Sequence, residues 1–250
     1  KMNSLVSIIT PSYNSARFIN DCVYSVLKQT YNNWELLIVD DASEDNSRKI
    51  IKQLSRVDER IKSIFLEKNI GAAEARNLAI KKSKGRYIAF LDADDIWKDD
   101  KLKEQINFMQ HNNIAFSFSS YQPMSEDGKM LFREIKAPLK ITYNSFLKNT
   151  IIGCLTVVLD KHKIGDFKMP NLRTSQDMAL WLSIMRNGFD AYGIEKSLAY
   201  YRIVGTSNTS NKLKVIRGVW QVYRKEEGLG YLKSIWCFLH YAFNAIKKRI

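Results

Sequence analysis

The chain has 250 residues, a length that suits one α/β domain with or without a small appendage. Hydrophobic residues make up 45% of it, which is enough for a sizeable core and argues against a disordered protein. Its three cysteines lie far apart and form no CxxC pair, so neither a disulfide framework nor a thiolate zinc site is indicated. The net charge of +13 favours anionic partners, but no nucleic-acid-binding signature accompanies it, so we do not expect nucleic acid among them.

The sequence predicts a cytoplasmic protein. Sparse cysteines fit a reducing compartment, and no signal-peptide pattern precedes the first predicted strand. The longest strongly apolar stretch near the end, residues 234–246, contains 13 residues without a charge. A membrane-spanning helix needs about 20 such residues, so we do not expect the chain to span a bilayer.

Strand and helix patterns alternate through the first half of the chain. Short apolar runs predict buried strands at residues 5–10, 34–39, 61–66 and 87–91. The intervening segments predict helices: one from Ser15, one capped by Ser43, and one that Gly71 opens and Gly85 stops. This alternation predicts an α/β fold with a mainly parallel sheet and right-handed crossovers.

Polar side chains follow three of these strands at the point where each strand ends. In open α/β sheets, ligands bind outside the carboxyl ends of the strands. We therefore expect one rim to carry Ser12, Tyr13 and Asn14, then Asp40 and Asp41, and then Asp92, Asp94 and Asp95.

The second half of the chain is less regular. Residues 115–121 predict a strand, residues 151–159 a long apolar strand, and Thr174 the start of an apolar helix. From Asn211 onward the chain is predicted to be helical and basic. Because no linker is evident, we expect one domain with a helical C-terminal extension over residues 211–250.

The acidic cluster Asp92-Ala93-Asp94-Asp95 has two interpretations. Closely spaced carboxylates repel one another unless a cation is bound, and a hard divalent ion takes carboxylate and phosphate oxygens. Alternatively, the cluster is a solvated turn in which Asp95 caps the following helix. The spacing of the acids does not decide between these interpretations.

Three further candidates each have a functional and a structural interpretation. Asp41 can accept a hydrogen bond from a base or sugar, or cap a helix near Ser43. Tyr13 can stack on a base, or pack within its loop. Arg76 can pair with a diphosphate, or belong to a helix whose small residues pack on the sheet.

The segment from Thr174 to Asp177 fits the capping-box pattern, with Asp177 as the third residue of the helix. A catalytic carboxylate is also plausible here, because a helix N-terminus favours the ionised form. The chain lacks GxGxxG after its first strand and lacks a P-loop, which argues against a nicotinamide dehydrogenase and a P-loop kinase.

The chain resembles the family 2 glycosyltransferases, which have the GT-A fold, over roughly its first 200 residues. The resemblance rests on six segments in the family's order and spacing: VSIITPSYN (6–14), SVLKQT (25–30), ELLIVDDAS (35–43), NIG with ARN (69–77), GRYIAFLDADD (85–95) and QD (176–177).

This resemblance implies a role for each matching residue. Asp94 is implied as the ligand of Mg²⁺ or Mn²⁺, and Asp177 as the catalytic base. The residues implied in holding the nucleotide are Pro11, Tyr13, Asp41, Arg76 and, near the ribose, Asp92. Many family members have an acidic pair at the base position, whereas Gln176 precedes Asp177 here and leaves one carboxylate.

The resemblance further implies an inverting transfer of one hexosyl group from a nucleotide sugar, such as a UDP-sugar, to an acceptor hydroxyl. Residues 149–157 and 176–182 look like bacterial transferases that assemble teichuronic acid, capsule or O-antigen, which implies a lipid-linked glycan as acceptor. The QxxRW signature of processive synthases is missing. The alternatives are a sugar-nucleotide-binding subunit without catalysis and a nucleotidyltransferase.

On this basis we expect a catalytic domain over residues 1–210, with a nucleotide-binding half (1–95) and an acceptor-side half (96–210). In the extension, apolar residues from Tyr231 onward recur at spacings of three and four beside Lys233 and the basic end of the chain. This pattern predicts a helix that docks on the anionic inner face of the cell membrane, or alternatively one that packs on protein.

Overall fold

The computed structural model of the protein describes residues 3–131, 133–205 and 212–247. Its strands are β1 (Val6–Ser12), β2 (Trp34–Asp40), β3 (Ile61–Phe65), β4 (Tyr87–Phe90), β5 (Ile96–Trp97), β6 (Phe116–Met124), β7 (Lys140–Ile141), β8 (Val158–Asp160) and β9 (Ala191–Arg202). Its α-helices are α1 (Ile19–Leu27), α2 (Ser47–Val57), α3 (Ala72–Lys82), α4 (Lys101–His111), α5 (Tyr143–Phe146), α6 (Lys161–Ile164), α7 (Gln176–Arg186), α8 (Lys212–Gln221) and α9 (Tyr231–Lys247).

All of these strands belong to one sheet in the order β3-β2-β1-β4-β8-β6-β9-β5, with β7 beside β9. The first four strands are parallel, as predicted, and β1 pairs with β2 so that Ser12 lies opposite Asp40. The second half is mixed, because β8 runs antiparallel to both β4 and β6. The predicted α/β fold is confirmed. Strands from before and after residue 95 form one continuous sheet, in which β4 pairs with β8.

Helices cover both faces of the sheet, which is why β2 is buried at every position and shows no polar alternation. Successive residues of a strand point to opposite faces, so Ile8 and Ile9 lie in different cores. The core around Ile8 is closed by α1, α2 and α4, and the core around Ile9 by α3 and α7. The carboxyl ends of the parallel strands stay open between these layers.

The long strand predicted at residues 151–159 is wrong. Only Val158–Asp160 is a strand, and Cys154–Thr156 forms a turn of 3-10 helix. Side chains of neighbouring elements take up backbone carbonyls that a strand would offer to its partners. Trp97 Nε1 donates to the Leu155 carbonyl at 2.9 Å, and Gln105 Nε2 donates to the Thr156 carbonyl at 3.0 Å. The apolar run is therefore buried without being extended.

The predicted cap at Ser43 is wrong, and Asp95 does not cap a helix as one of its two interpretations had it. Helix α2 begins at Ser47, and the Ser43 hydroxyl instead accepts a hydrogen bond from the Asn14 N–H at 2.9 Å. Helix α4 begins at Lys101, and the Asp95 carboxylate accepts a hydrogen bond from the Arg202 N–H at 2.8 Å. Both side chains hydrogen-bond a distant segment of the chain instead of capping the start of a helix.

The predicted C-terminal helix is divided into two. A turn of π-helix follows α8 over Val222–Glu226, and Gly228, with φ +60°, breaks the helical path before α9. One side of α9 packs on the protein through Ser234, Cys237, Phe238 and Tyr241. Asn211 and residues 248–250 lie outside the described residues, as do the side chains of Ile246 and Lys247. Within the described part of the chain, no helix is long and apolar enough to cross a bilayer.

Candidate active site

A cavity of about 480 Å³ opens at the carboxyl ends of β1, β2 and β4, where the sequence predicts the ligand rim. It brings together all seven residues predicted as site residues: Pro11, Tyr13, Asp41, Arg76, Asp92, Asp94 and Asp177. Five of them lie at or just beyond the ends of β1, β2 and β4, Arg76 lies on helix α3, and Asp177 comes from α7 in the second half. The cavity therefore lies between the two parts of the sheet.

The loop after β1 is held by the loop after β2. Asn14 has φ +49°, and its Oδ1 accepts a hydrogen bond from the Glu44 N–H at 2.9 Å. Asparagine tolerates this left-handed conformation better than most residues. The anchored loop presents the Tyr13 side chain, which is half exposed, to the cavity. A flat ring held in this position can stack on a planar ligand.

The Asp41 carboxylate holds the backbone just before the start of helix α3. Its two oxygens accept hydrogen bonds from the N–H groups of Ile70, at 2.7 Å, and Gly71, at 2.8 Å. Gly71 has φ +89°, a conformation in which a side chain would be strained, so the glycine permits the chain to enter the helix here. A carboxylate has about four lone-pair positions, and Asp41 therefore retains capacity to accept from a ligand.

Arg76 and Asp92 form an ion pair inside the cavity. Burial disfavours the charged guanidinium, but the neighbouring Asp92 carboxylate outweighs this and raises the pKa of Arg76. Arg76 Nε is buried without a hydrogen-bond partner among the described residues. Arg76 lines the cavity, so its guanidinium contributes positive charge to the cavity wall.

Asp94 lies in a strongly unfavourable environment for a lone carboxylate. Burial and, after it, the charge of Asp92 raise the pKa of Asp94 to about 6. Such a carboxylate gains most from a cation, because a positive charge relieves both effects. Among the described residues, no three acidic, histidine or cysteine side chains converge to hold a metal by themselves.

The capping box predicted from Thr174 to Asp177 is wrong. Helix α7 begins at Gln176, so Asp177 is its second residue, and the N-cap residue is Ser175. Ser175 has φ +59° and its side chain makes no capping hydrogen bond, while the Thr174 hydroxyl donates to the Lys214 carbonyl at 3.3 Å. Burial raises the pKa of Asp177 against the opposing effect of nearby N–H groups and Arg76. A higher pKa makes the carboxylate a stronger base.

Sequence reasoning missed Arg202, the last residue of β9. Its Nε donates to the Asp94 carbonyl at 2.8 Å, its Nη1 to the Glu126 carbonyl at 2.7 Å and its Nη2 to Asp21 Oδ2 at 3.1 Å. No spacing motif identifies a single arginine in a strand. The only signal was its position at the carboxyl end of a strand, and the same kind of position identified Asp92.

Comparisons with known proteins agree with this geometry. Residues 7–168 match the family model for glycosyl transferase family 2. TuaG of Bacillus subtilis strain 168, a glycosyltransferase assigned to teichuronic acid biosynthesis, is 52% identical over 246 residues, which are 98% of each chain. WfgD of Escherichia coli, a UDP-Glc:α-D-GlcNAc-diphosphoundecaprenol β-1,3-glucosyltransferase, is 44% identical over 98% of this chain and 94% of its own. The predicted similarity to transferases of teichuronic acid assembly is confirmed.

Solved structures show the same fold at low sequence identity. Residues 1–349 of TarS from S. aureus, in complex with UDP-GlcNAc, superpose with a TM-score of 0.74 at 20% identity, over 97% of this chain and 72% of that one. The mannosyltransferase PcManGT from Pyrobaculum calidifontis, in complex with GDP-Man and Mn²⁺, gives 0.70 at 16% identity, over 97% and 74%. The chain therefore belongs to glycosyltransferase family 2 and has the GT-A fold.

Proposed function

We propose that this enzyme transfers a hexosyl group from a UDP-sugar to a hydroxyl of a lipid-linked glycan, in the synthesis of a bacterial cell-surface polysaccharide. The observation that carries the proposal is that Asp94 and Asp177 line one cavity at the strand ends. Asp94 can hold a cation for the leaving diphosphate, and Asp177 can accept the proton of the acceptor hydroxyl. Family membership favours this activity over the non-catalytic subunit and the nucleotidyltransferase.

The names of relatives support the choice of substrates. WfgD is named for UDP-glucose and for an acceptor GlcNAc on diphosphoundecaprenol, and it is 44% identical to this chain. TuaG, at 52% identity, is assigned to the polymer teichuronic acid. The TarS complex contains UDP-GlcNAc in the same fold. A net charge of +13 suits a donor and an acceptor that both carry phosphate.

The nucleotide-binding role falls to the half of the cavity formed by residues 1–95. Tyr13 offers a half-exposed ring for the base, and Asp41 keeps lone pairs free beside it. Pro11, near the end of β1, lines the same cavity. The Arg76–Asp92 pair supplies positive charge for the diphosphate and an acceptor for the ribose. The acceptor-side role then falls to residues 96–210, which contribute Asp177.

The residues present fit a divalent ion that binds together with the donor. Mg²⁺ is usually held by one or two carboxylates plus substrate phosphates, and Asp94 provides a carboxylate whose pKa is raised by burial and by Asp92. Mg²⁺ or Mn²⁺ bound there would neutralise charge on the departing diphosphate. The PcManGT complex contains Mn²⁺ in the same fold.

Asp177 takes the proton of the acceptor hydroxyl as its oxygen attacks the anomeric carbon. The new glycosidic bond forms while the bond to the diphosphate breaks, and the electron pair leaves with UDP. Attack from the face opposite the leaving group inverts the anomeric centre. Of the four acids that line the cavity, Asp41 holds backbone N–H groups and Asp92 pairs with Arg76. Asp94 would hold the cation, so none of these acids is left to act as a separate nucleophile, and a single displacement follows.

This function is tested by measuring UDP release without an acceptor. Purified protein is incubated with Mn²⁺ and a panel of UDP-, GDP- and CMP-sugars. We expect slow hydrolysis of at least one UDP-sugar, and none by the Asp94→Asn variant. Hydrolysis restricted to a GDP- or CMP-sugar, or no hydrolysis of any donor, contradicts the proposed donor class.

We also propose that α9 holds the enzyme on the inner face of the cell membrane, where lipid-linked acceptors are found. Its outer face exposes Leu232, Ile235, Trp236, Leu239 and Phe243, whose exposed fractions range from 47% to 87%. Phe238 and Tyr241, on the other side of the helix, pack on the protein core. The opposite side of α9 therefore packs on the protein, and the outer face is left exposed. Exposed aromatics beside basic residues are typical of interfacial helices.

Flotation with lipid vesicles tests this location. The wild-type protein should float with phosphatidylglycerol vesicles, and less so in high salt. The triple variant Leu232→Ser, Trp236→Ser and Leu239→Ser should stay at the bottom. The matched control, Val57→Ser with Leu139→Ser, alters exposed apolar residues elsewhere and should float as the wild type does. Equal flotation of the triple variant, or no flotation of the wild type, rejects the membrane role.

A further inference from the structure

Helix α8 contacts the start of the helix that carries Asp177, and it does so at a glycine. A Cβ atom built on Gly218 would lie 2.1 Å from Thr174 Oγ1, 3.1 Å from Ser175 Oγ and 3.2 Å from Thr174 Cβ. The first distance is too short for a real side chain, and the other two are tighter than most contacts that a Cβ atom makes. The backbone of α8 therefore lies directly against Thr174 and Ser175, and only glycine allows it to do so.

A hydrogen bond fixes the same contact. The Thr174 hydroxyl donates to the carbonyl of Lys214, which precedes Gly218 by one helical turn. Thr174 is β-branched, so its hydroxyl has few other positions to adopt. The turn before α7 is thus held against α8 by both shape and a polar bond.

Helix α7 lacks a capping side chain of its own at this end. Ser175 occupies the N-cap position with φ +59°, and its side chain makes no capping hydrogen bond. A serine held in the left-handed region depends on its surroundings to stay there. Asp177 follows two residues later, so the direction of its side chain depends on how Thr174 and Ser175 are held.

The C-terminal segment holds the other end of α7 as well. Arg186, the last residue of α7, forms an ion pair with Glu227 at 3.0 Å. The Glu227 carboxylate is buried and also accepts a hydrogen bond from the Tyr143 hydroxyl at 2.7 Å. Between these two ends, Val219, Val222 and Tyr223 share a core with Trp181.

We propose that α8 is a positioning element for catalysis, in which the contact of Gly218 with Thr174 and Ser175 sets the orientation of Asp177 toward the acceptor. This inference rests on the proposed function of Asp177 as the base. It assigns to the C-terminal extension a part in the chemical step, separate from any membrane contact of α9. Gly218 does not line the cavity and acts through Asp177, whereas Thr174 lines the cavity three residues before Asp177 and links the two.

The test is Gly218→Ala. Alanine has a higher intrinsic helix propensity than glycine, so any loss comes from the contact rather than from the helix itself. A displacement of about 1 Å can cost on the order of a hundredfold in rate. We expect kcat for transfer to fall at least about tenfold, while the Kd for UDP with Mg²⁺ stays within about twofold. We also expect the acidic limb of the kcat–pH profile to shift, because the surroundings of the base change.

Two further variants complete the test. Adding Thr174→Ala to Gly218→Ala removes the atom at 2.1 Å, and kcat should return to within about threefold of that of Thr174→Ala alone. Gly230→Ala is the matched control, since no atom lies within 4 Å of a Cβ at that position, and it should leave kcat unchanged. If Gly218→Ala does not fold, Thr174→Val keeps the bulk and removes the hydrogen bond, and it should lower kcat with the UDP Kd unchanged.

The inference is overturned if folded Gly218→Ala has the wild-type kcat and pH profile, or if UDP affinity falls in parallel with kcat. It is overturned equally if the double variant is slower than Thr174→Ala alone by more than about threefold. Failure of the proposed function has a different result. If Asp177→Asn retains full transfer, Asp177 is not the base, whatever Gly218→Ala does.

Discussion

Arg76 and Asp92 form an ion pair that joins helix α3 to the end of strand β4 inside the active-site cavity. The guanidinium is almost fully buried, whereas the carboxylate is about one third exposed, at 31%. The pair therefore holds a cation below the cavity surface and leaves the acid accessible to a ligand.

Asp92→Asn should destabilise the protein, because it leaves the Arg76 charge buried without its partner. A lost hydrogen bond to a charged group costs about 2 kcal/mol, which lowers Tm by roughly 4–8 °C in a protein of this size. Thermal unfolding measures the change. Asp99→Asn, on an exposed carboxylate two residues from Trp97, is the control and should leave Tm unchanged. An unaltered Tm for Asp92→Asn means that the pair contributes nothing to stability.

Asp94→Asn should abolish metal-dependent turnover while keeping the shape of the side chain. We expect Mn²⁺ binding in the presence of UDP, followed by electron paramagnetic resonance, to weaken at least about tenfold, because an anionic ligand is lost. Wild-type protein treated with a chelator should lose activity and regain it with Mg²⁺ or Mn²⁺. Full activity of the variant, or of wild type in excess chelator, excludes the metal role of Asp94.

Arg202→Lys should weaken the metal site although it leaves the carboxylate of Asp94 itself unaltered. Lysine cannot reproduce the separate bonds of Arg202 to the Asp94 carbonyl and to Asp21. We expect the concentration of Mn²⁺ needed for half-maximal rate to rise about tenfold, which corresponds to about 1.4 kcal/mol. Arg17→Lys, at an exposed ion pair, is the control and should leave this concentration unchanged. Equal metal dependence of both variants would show that Arg202 does not hold the segment that carries Asp94.

The raised pKa of Asp177 gives a stability prediction with a definite sign. Burial raises the pKa of Asp177 above its usual value near 3.8. At pH values between the unfolded-state pKa and the folded-state pKa, the folded state therefore binds more protons than the unfolded state. The contribution of Asp177 to stability therefore falls as the pH rises through this range.

Asp177→Asn removes this penalty, so at pH 7 the variant should be at least as stable as wild type, and its advantage should shrink as the pH falls toward 4. Urea unfolding at pH 4 and pH 7 measures both free energies. Asp166→Asn, on an almost fully exposed carboxylate, should show no such trend. A clear loss of stability for Asp177→Asn at pH 7 would mean that the carboxylate stabilises the start of α7 instead.

The rim of the cavity was predictable because it depends on local pattern. Each buried strand of the parallel half ends where its apolar run ends, and the next polar residue lies at the sheet edge. Asp41 and Asp92 follow from this rule alone. The place of Asp177 in the same cavity came from family resemblance, since no local pattern connects α7 with the first half.

Other features depend on contacts between distant segments, which a local pattern does not contain. Asp95 looks like a helix cap in sequence, yet its partner is the N–H of Arg202, more than a hundred residues later. Thr174 fits a capping box, yet its hydroxyl bonds α8. The apolar run before Val158 resembles a strand, but its carbonyls are taken by Trp97 and Gln105. In each case a tertiary partner overrides the local preference.

In the proposed inverting transfer, Asp177 is the base. The most direct measurement incubates the wild-type enzyme and Asp177→Asn with UDP-glucose, Mn²⁺ and a GlcNAc-diphospholipid acceptor, and determines the rate and the anomeric configuration of the product by NMR. We predict a β-linked product from wild type and a rate at least about a hundredfold lower for the variant, with unchanged UDP affinity. An α-linked product would rule out inversion, and a variant that transfers at the wild-type rate would rule out Asp177 as the base.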